Sequence, residues 1–171
     1  RRRVHAAAGA ITHFDGELAD LEALEREPPD WIVSHGYRHI VPAAAIERFR
    51  DRMVNLHISL LPWNRGADPN LWSFVEGTPS GVTIHYMDEE VDTGDVVAQR
   101  ELHFGDEETL ATTYARLQEE IADLFEETWP LLLEAVGRTI DELDMYSPSG
   151  KHLHLKLEEP FAVYSRIAFD T

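Results

Sequence analysis

The chain contains no cysteine. A disulfide framework, a thiolate zinc site and cysteine nucleophile chemistry are therefore all excluded. It also lacks any apolar run of the roughly 18 to 20 residues that a membrane helix needs. Arg1, Arg2 and Arg3 lead into a short Ala-rich stretch rather than a proper signal sequence, so a soluble cytoplasmic protein with no membrane partner is expected. Positive charge is scarce: 15 Lys and Arg stand against 32 Asp and Glu, a formal net charge of −17. Such a surface repels polyphosphate backbones, whereas nucleic-acid binders carry a basic patch or stripe, so no nucleic-acid partner is expected. A small nucleotide is compatible with it.

What is present fits one domain, since 171 residues can bury a sizeable core without staples. Leu18, Leu21 and Leu24 predict a helix over 16–27, ended by Pro28 and Pro29. Trp31, Ile32 and Val33 form a short apolar run that stops at His35 and Gly36, which predicts a buried strand of a parallel sheet. A short helix over 43–50 leads into a second strand, MVNLHISLLP, and then a loop rich in Trp, Asn, Gly and Pro. A helix is predicted over 70–76. The segment GVTIHYMDE predicts a third strand, with Val82, Ile84 and Tyr86 on one face and Thr83, His85 and Met87 on the other. Asp92, Thr93, Gly94 and Asp95 form a turn back into Val96 and Val97. Leu110, Tyr114, Leu117, Ile121, Leu124 and Phe125 recur at helical spacing, so 109–136 reads as a long amphipathic helix with Thr109 or Asp106 as its N-cap and a kink or restart at Pro130. Turn chemistry at Ser147 to Gly150 precedes a final strand-like alternation.

The chemistry gathers at strand ends. Asn55 and His57 lie two positions apart on an extended chain and so point to the same side; His85 lies on the third strand and Asp92 in the glycine turn. An amide, an imidazole and a carboxylate can together stabilise an oxyanion and move a proton. A zinc or iron hydrolase that used His57, His85 and Asp92 is the competing reading. Against it stands Asn55, because a neutral amide is a poor metal ligand and a good oxyanion donor. His152 and His154 alternate on a strand-like segment, but with no further nearby ligand set they read as solvated positions, and no metal is assigned.

The ordered runs NLHISLLPWNRGADPN and SGVTIHYMDEEVDTGDVV resemble the folate-dependent formyltransferase family, with similarity over about residues 31–137. The resemblance implies an α/β, Rossmann-like fold with a mostly parallel sheet flanked by helices, its N-terminal βαβ unit represented only in part. It implies a catalytic domain over 1–144, with 145–171 as an extension. The implied catalytic residues are Asn55, His57 and Asp92. Tyr37, Arg38, His39, Ile40, Met87, Asp88 and Val91 would contact the folate, and His85, Trp63, Asn64 and Arg65 the acceptor. The formyl donor would be 10-formyltetrahydrofolate. Among family branches, WNRGADPN and YRHI look most like sugar N-formyltransferases, so the expected partner is a small amine, a nucleotide-linked 4-amino-4,6-dideoxy sugar; a homodimer is compatible. A glycinamide ribonucleotide-type enzyme and a non-catalytic folate- or nucleotide-binding relative are the alternatives.

Overall fold

The computed structural model describes residues 28–29, 31–135, 145–146 and 152–153. The helix expected over 16–27 and the turn at Ser147 to Gly150 lie outside these residues. Four strands form the main sheet in chain order: β1 (Ile32–His35), β2 (Met53–His57), β3 (Ser80–Tyr86) and β4 (Val96–Leu102). Helix α1 (Ala43–Arg48) joins β1 to β2, α2 (Pro69–Glu76) joins β2 to β3, and α3 (Leu110–Ala135) follows β4. A small antiparallel pair, β5 (Met145–Tyr146) and β6 (His152–Leu153), completes the described elements.

The fold class is the expected α/β, but the described sheet is mixed rather than mostly parallel. Only β1 and β2 run parallel; β2–β3 and β3–β4 are antiparallel. The reason is local. A helix carries the chain across from β1 to β2, as parallel pairing requires, and the loop between β3 and β4 spans only residues 87–95 and returns the chain alongside itself; β2 and β3 are antiparallel although α2 lies in their connection.

Period-two alternation gives the sheet two unlike faces. On one, Val33, Val54, Leu56, Val82, Ile84 and Tyr86 are buried in a single apolar cluster with Leu117, Ile121, Leu124, Phe125, Trp129 and Leu132 of α3. Each such side chain, when fully buried, contributes about 1.5 to 3 kcal/mol of transfer free energy. That outweighs the proline inside the helix. Pro130 cannot donate to the carbonyl four residues back, at a cost of about 3 kcal/mol in a helix interior, yet Leu110–Ala135 is one continuous helix because Trp129 and Leu132 flank the proline in the core. Thr109 is its N-cap: its Oγ1 accepts from the Thr112 N–H at 3.2 Å while its own N–H donates to Thr112 Oγ1 at 2.9 Å.

The opposite face is apolar only at one end, where Ile32 and Met53 pack beneath Ala45, Ile46 and Phe49. Beyond them it carries polar groups. Asn55 pairs across the sheet with His85, and His57 with Thr83. Thr83 then anchors the Ser-Leu-Leu-Pro loop: its Oγ1 donates to the Ser59 carbonyl at 2.7 Å and accepts from the Leu61 N–H at 3.1 Å and from Gln99 Nε2 at 3.0 Å. Gly81 lets that loop approach, since a Cβ there would overlap the Arg100 carbonyl and press on Leu60.

Candidate active site

Asp92 completes the polar face from outside the sheet. It lies in the 87–95 loop with a positive φ of 53°, a conformation Asp tolerates better than most residues. The loop is braced by Asp88, whose Oδ1 accepts from Thr93 Oγ1 at 2.5 Å and from the Glu90 N–H at 3.1 Å. Gly94 lies so close to the end of β3 that a Cβ would overlap the Tyr86 carbonyl oxygen. These contacts set Asp92 above Asn55, His57 and His85.

The proton positions follow from the partners. Tyr86 O can only accept, so His85 Nδ1, 2.7 Å away, carries a proton. Asn55 Nδ2 lies 3.2 Å from both His85 Nε2 and Asp92 Oδ1, and His85 Nε2 is itself 3.3 Å from Asp92 Oδ1. His57 Nε2 lies 3.1 Å from the Asn64 carbonyl and 3.6 Å from Asp92 Oδ2, so this nitrogen is its donor. Asp92 Oδ2 also accepts the Gly66 N–H at 2.8 Å.

Burial pushes His57 below the ordinary histidine pKa; Asp92 and the Asn64 carbonyl pull it upward, and His85 adds a smaller push down. Asp92 therefore acts in the expected direction, but desolvation wins and His57 rests neutral at pH 7. For Asp92 itself, burial pushes upward, but in the acid range where it titrates the hydrogen bond with His85, the charge His57 carries there and the Gly66 N–H outweigh it and hold the carboxyl down to about 2. A carboxylate that stays ionised thus sits beside a neutral imidazole.

These groups line a cleft of about 1180 Å³. The structure brings Asn55, His57, His85 and Asp92 together, and the cleft also takes in Tyr37, Arg38, His39, Ile40, Met87, Asp88 and Val91. Ile40 and Val91 are 86% and 59% exposed, two apolar side chains at the rim. Trp63, Asn64 and Arg65 do not line the cleft; its wall there is built from Gly66 to Leu71. The Asn64 side chain is turned to Thr78 and Glu76 instead. Sequence reasoning passed over Ser34, Tyr114 and Gln118, which line the far wall, where His35 Nε2 and Gln118 Oε1 are 2.7 Å apart. Tyr114 and Gln118 are spaced by four on α3, a signal absorbed into its amphipathic pattern. Among the described residues no group of three or more His, Asp or Glu has the arrangement to hold a metal ion, and no helix is long and apolar enough to cross a membrane.

Residues 5–128 match the formyl transferase family. The chain belongs to that family. It is 37% identical over 115 residues to a methionyl-tRNA formyltransferase from Listeria monocytogenes, covering 67% of this chain and 36% of that protein. Among solved structures it is similar to the formyltransferase PseJ from Anoxybacillus kamchatkensis, in complex with UDP-4,6-dideoxy-4-formamido-L-AltNAc and tetrahydrofolate: 50% identity, a TM-score of 0.69, and 72% of this chain against 65% of that one. A phosphoribosylglycinamide formyltransferase from Bacillus halodurans aligns at 30% identity and a TM-score of 0.62, over 69% of this chain and 60% of that one. The chain thus spans about a third of the length of the methionyl-tRNA formyltransferase and about two thirds of the two solved relatives. The matched span includes Asn55 and His57 of the polar face, Thr83 of the loop anchor and Asp92 of the capping loop.

Proposed function

We propose that this formyl transferase moves a formyl group from 10-formyltetrahydrofolate to the primary amine of a nucleotide-linked amino sugar. The observation that carries the reading is the convergence of Asn55, His57, His85 and Asp92 on one cleft face. The 50% identity to a protein crystallised with a formamido sugar nucleotide and tetrahydrofolate supports the substrate class. The size of the cleft agrees: about 1180 Å³ lies above the roughly 300 to 1,000 Å³ of common single-ligand pockets, leaving room for donor and acceptor together.

The reaction forms a bond from the amine nitrogen to the formyl carbon, breaks the bond from that carbon to the folate nitrogen, and passes one proton from amine to folate nitrogen. Asp92, ionised at neutral pH, offsets the positive charge that grows on the attacking nitrogen. Asn55 is held by two long hydrogen bonds and can turn one N–H to the oxygen as it becomes negative; such a donor is worth about 3 to 4 kcal/mol in the transition state. His57, neutral at rest and close to Asp92, can relay the proton. Tyr37 to Ile40 and Met87 to Val91 form the lobe for the folate, with Ile40 and Val91 as the apolar surfaces it would cover.

Glycinamide ribonucleotide-type chemistry is the second reading, on the 30% identical structural relative. A panel of nucleotide-linked amino sugars, glycinamide ribonucleotide and methionyl-tRNA, each given 10-formyltetrahydrofolate and analysed by product mass, tests both. A formyl adduct on an amino sugar alone is the expected result; an adduct on glycinamide ribonucleotide in its place overturns the substrate class.

A further inference from the structure

The loop after the Ser-Leu-Leu-Pro turn reaches His57 by an unusual route. His57 Nε2 donates to the backbone carbonyl of Asn64, a residue held at a positive φ of 52°. That backbone is secured through the Asn64 side chain, whose Oδ1 accepts from Thr78 Oγ1 at 2.7 Å. A weaker bond at 3.4 Å runs from Asn64 Nδ2 to exposed Glu76. Thr78 is itself fixed, because its N–H donates to the Ser73 carbonyl at 3.1 Å as the chain leaves α2 through Gly77. Ser73 of α2 is thereby linked to the imidazole through three hydrogen bonds, by way of Thr78 and Asn64.

We infer that Thr78 and Asn64 are positioning residues that hold His57 in the tautomer with its proton on Nε2, leaving Nδ1 as the basic nitrogen. The inference rests on the reading of His57 as a catalytic group and assigns Asn64 to the enzyme's own imidazole rather than to the acceptor. A neutral imidazole has two tautomers of similar energy, and the partner of one nitrogen decides where the proton sits. Asn64 O accepts only, so it selects the Nε2–H form. Asn tolerates the left-handed region better than most residues, and the bond from Thr78 Oγ1 ties its side chain in that conformation. Neither side chain lines the cleft, which separates this role from substrate binding.

The test has a readout that needs no substrate. In the ¹⁵N spectrum of the histidine rings, wild-type His57 should give a protonated Nε2 and an unprotonated Nδ1. Thr78→Val, which removes the hydroxyl and keeps the shape, should bring the two nitrogen shifts toward each other as the tautomers mix. With whichever acceptor the panel identifies, kcat should fall about tenfold, in line with loss of one net hydrogen bond, while KM for both substrates stays within about twofold. Thr78→Ser should restore both signals and rate. If Thr78→Val does not fold, Thr78→Ala carries the same expectation. Wild-type ring signals in a folded Thr78 variant, a loss confined to KM, or failure of Thr78→Ser to rescue would each overturn the inference. Because the ring signals are read without substrate, they decide it even if every acceptor in the panel is refused.

Discussion

At the scale of single residues, the pairing of an ionised Asp92 with a neutral His57 makes definite claims. His57→Asn should lower turnover about a hundredfold or more with little change in folate binding, because the interaction lost is made in the transition state. Asp92→Asn should cost a comparable amount, and the double variant should be scarcely worse than the worse single one, since the two act as a unit; stopped-flow turnover of the three variants checks this. The pH profile carries a sign as well. Desolvation lowers the pKa of His57, so the acid limb of kcat/KM should lie below the ordinary histidine value of 6.5. Asp92 pulls that value upward, so Asp92→Asn should move the limb to still lower pH. Stability follows by linkage. The Asp92 carboxyl, held at about 2 against an ordinary 3.8 and 10% exposed, contributes roughly 2 kcal/mol that is fully present above about pH 4 and lost as pH falls through 2. Urea denaturation of Asp92→Asn should be flatter across that window than that of the parent.

At the scale of elements, the loops matter more than the strands that carry them. Thr83→Val leaves the Leu61 N–H and the Ser59 carbonyl without their shared partner, an expected loss of about 1 to 3 kcal/mol seen as a lowered Tm. Gly94→Ala forces a Cβ against the Tyr86 carbonyl and should cost about 1 to 3 kcal/mol together with most of the activity, because Asp92 lies two residues away in the same loop. Much of this was legible in the sequence. The alternation of Val82, Ile84 and Tyr86 with Thr83 and His85 located both sheet faces, and the two-residue spacing put Asn55 and His57 on one of them. The strand directions were less accessible, because a buried apolar run such as Trp31 to Val33 reads the same in either orientation, and only the connection decides. The setting of Asn64 was hidden for a different reason: its fold-back onto Thr78 depends on a positive φ that residue identity alone does not dictate.

At the scale of the whole molecule, two terms act on every ligand. A reduced folate that binds the native state alone should raise Tm, by about 2.7 kcal/mol of added stability at a hundred times its Kd; no shift at saturation in a thermal melt would remove folate from the reading. The net charge of −17 opposes any anionic substrate. Both proposed substrates are anionic, so raising ionic strength from about 0.01 M to 0.15 M, which shortens the screening length from about 30 to 8 Å, should lower KM for the acceptor. A KM that rises with salt instead would mean that the cleft's own field is attractive despite the surface around it. The sheet's two faces carry a last consequence, for folding rather than for chemistry. A slip of β2 by one residue against β3 would turn Asn55 and His57 against Trp129 and Phe125 and send Val54 and Leu56 to the polar face. The side chains proposed to move the formyl group therefore also tell the nascent sheet which way up to assemble, and a variant that replaced them all with apolar residues would lose its register signal along with its reaction.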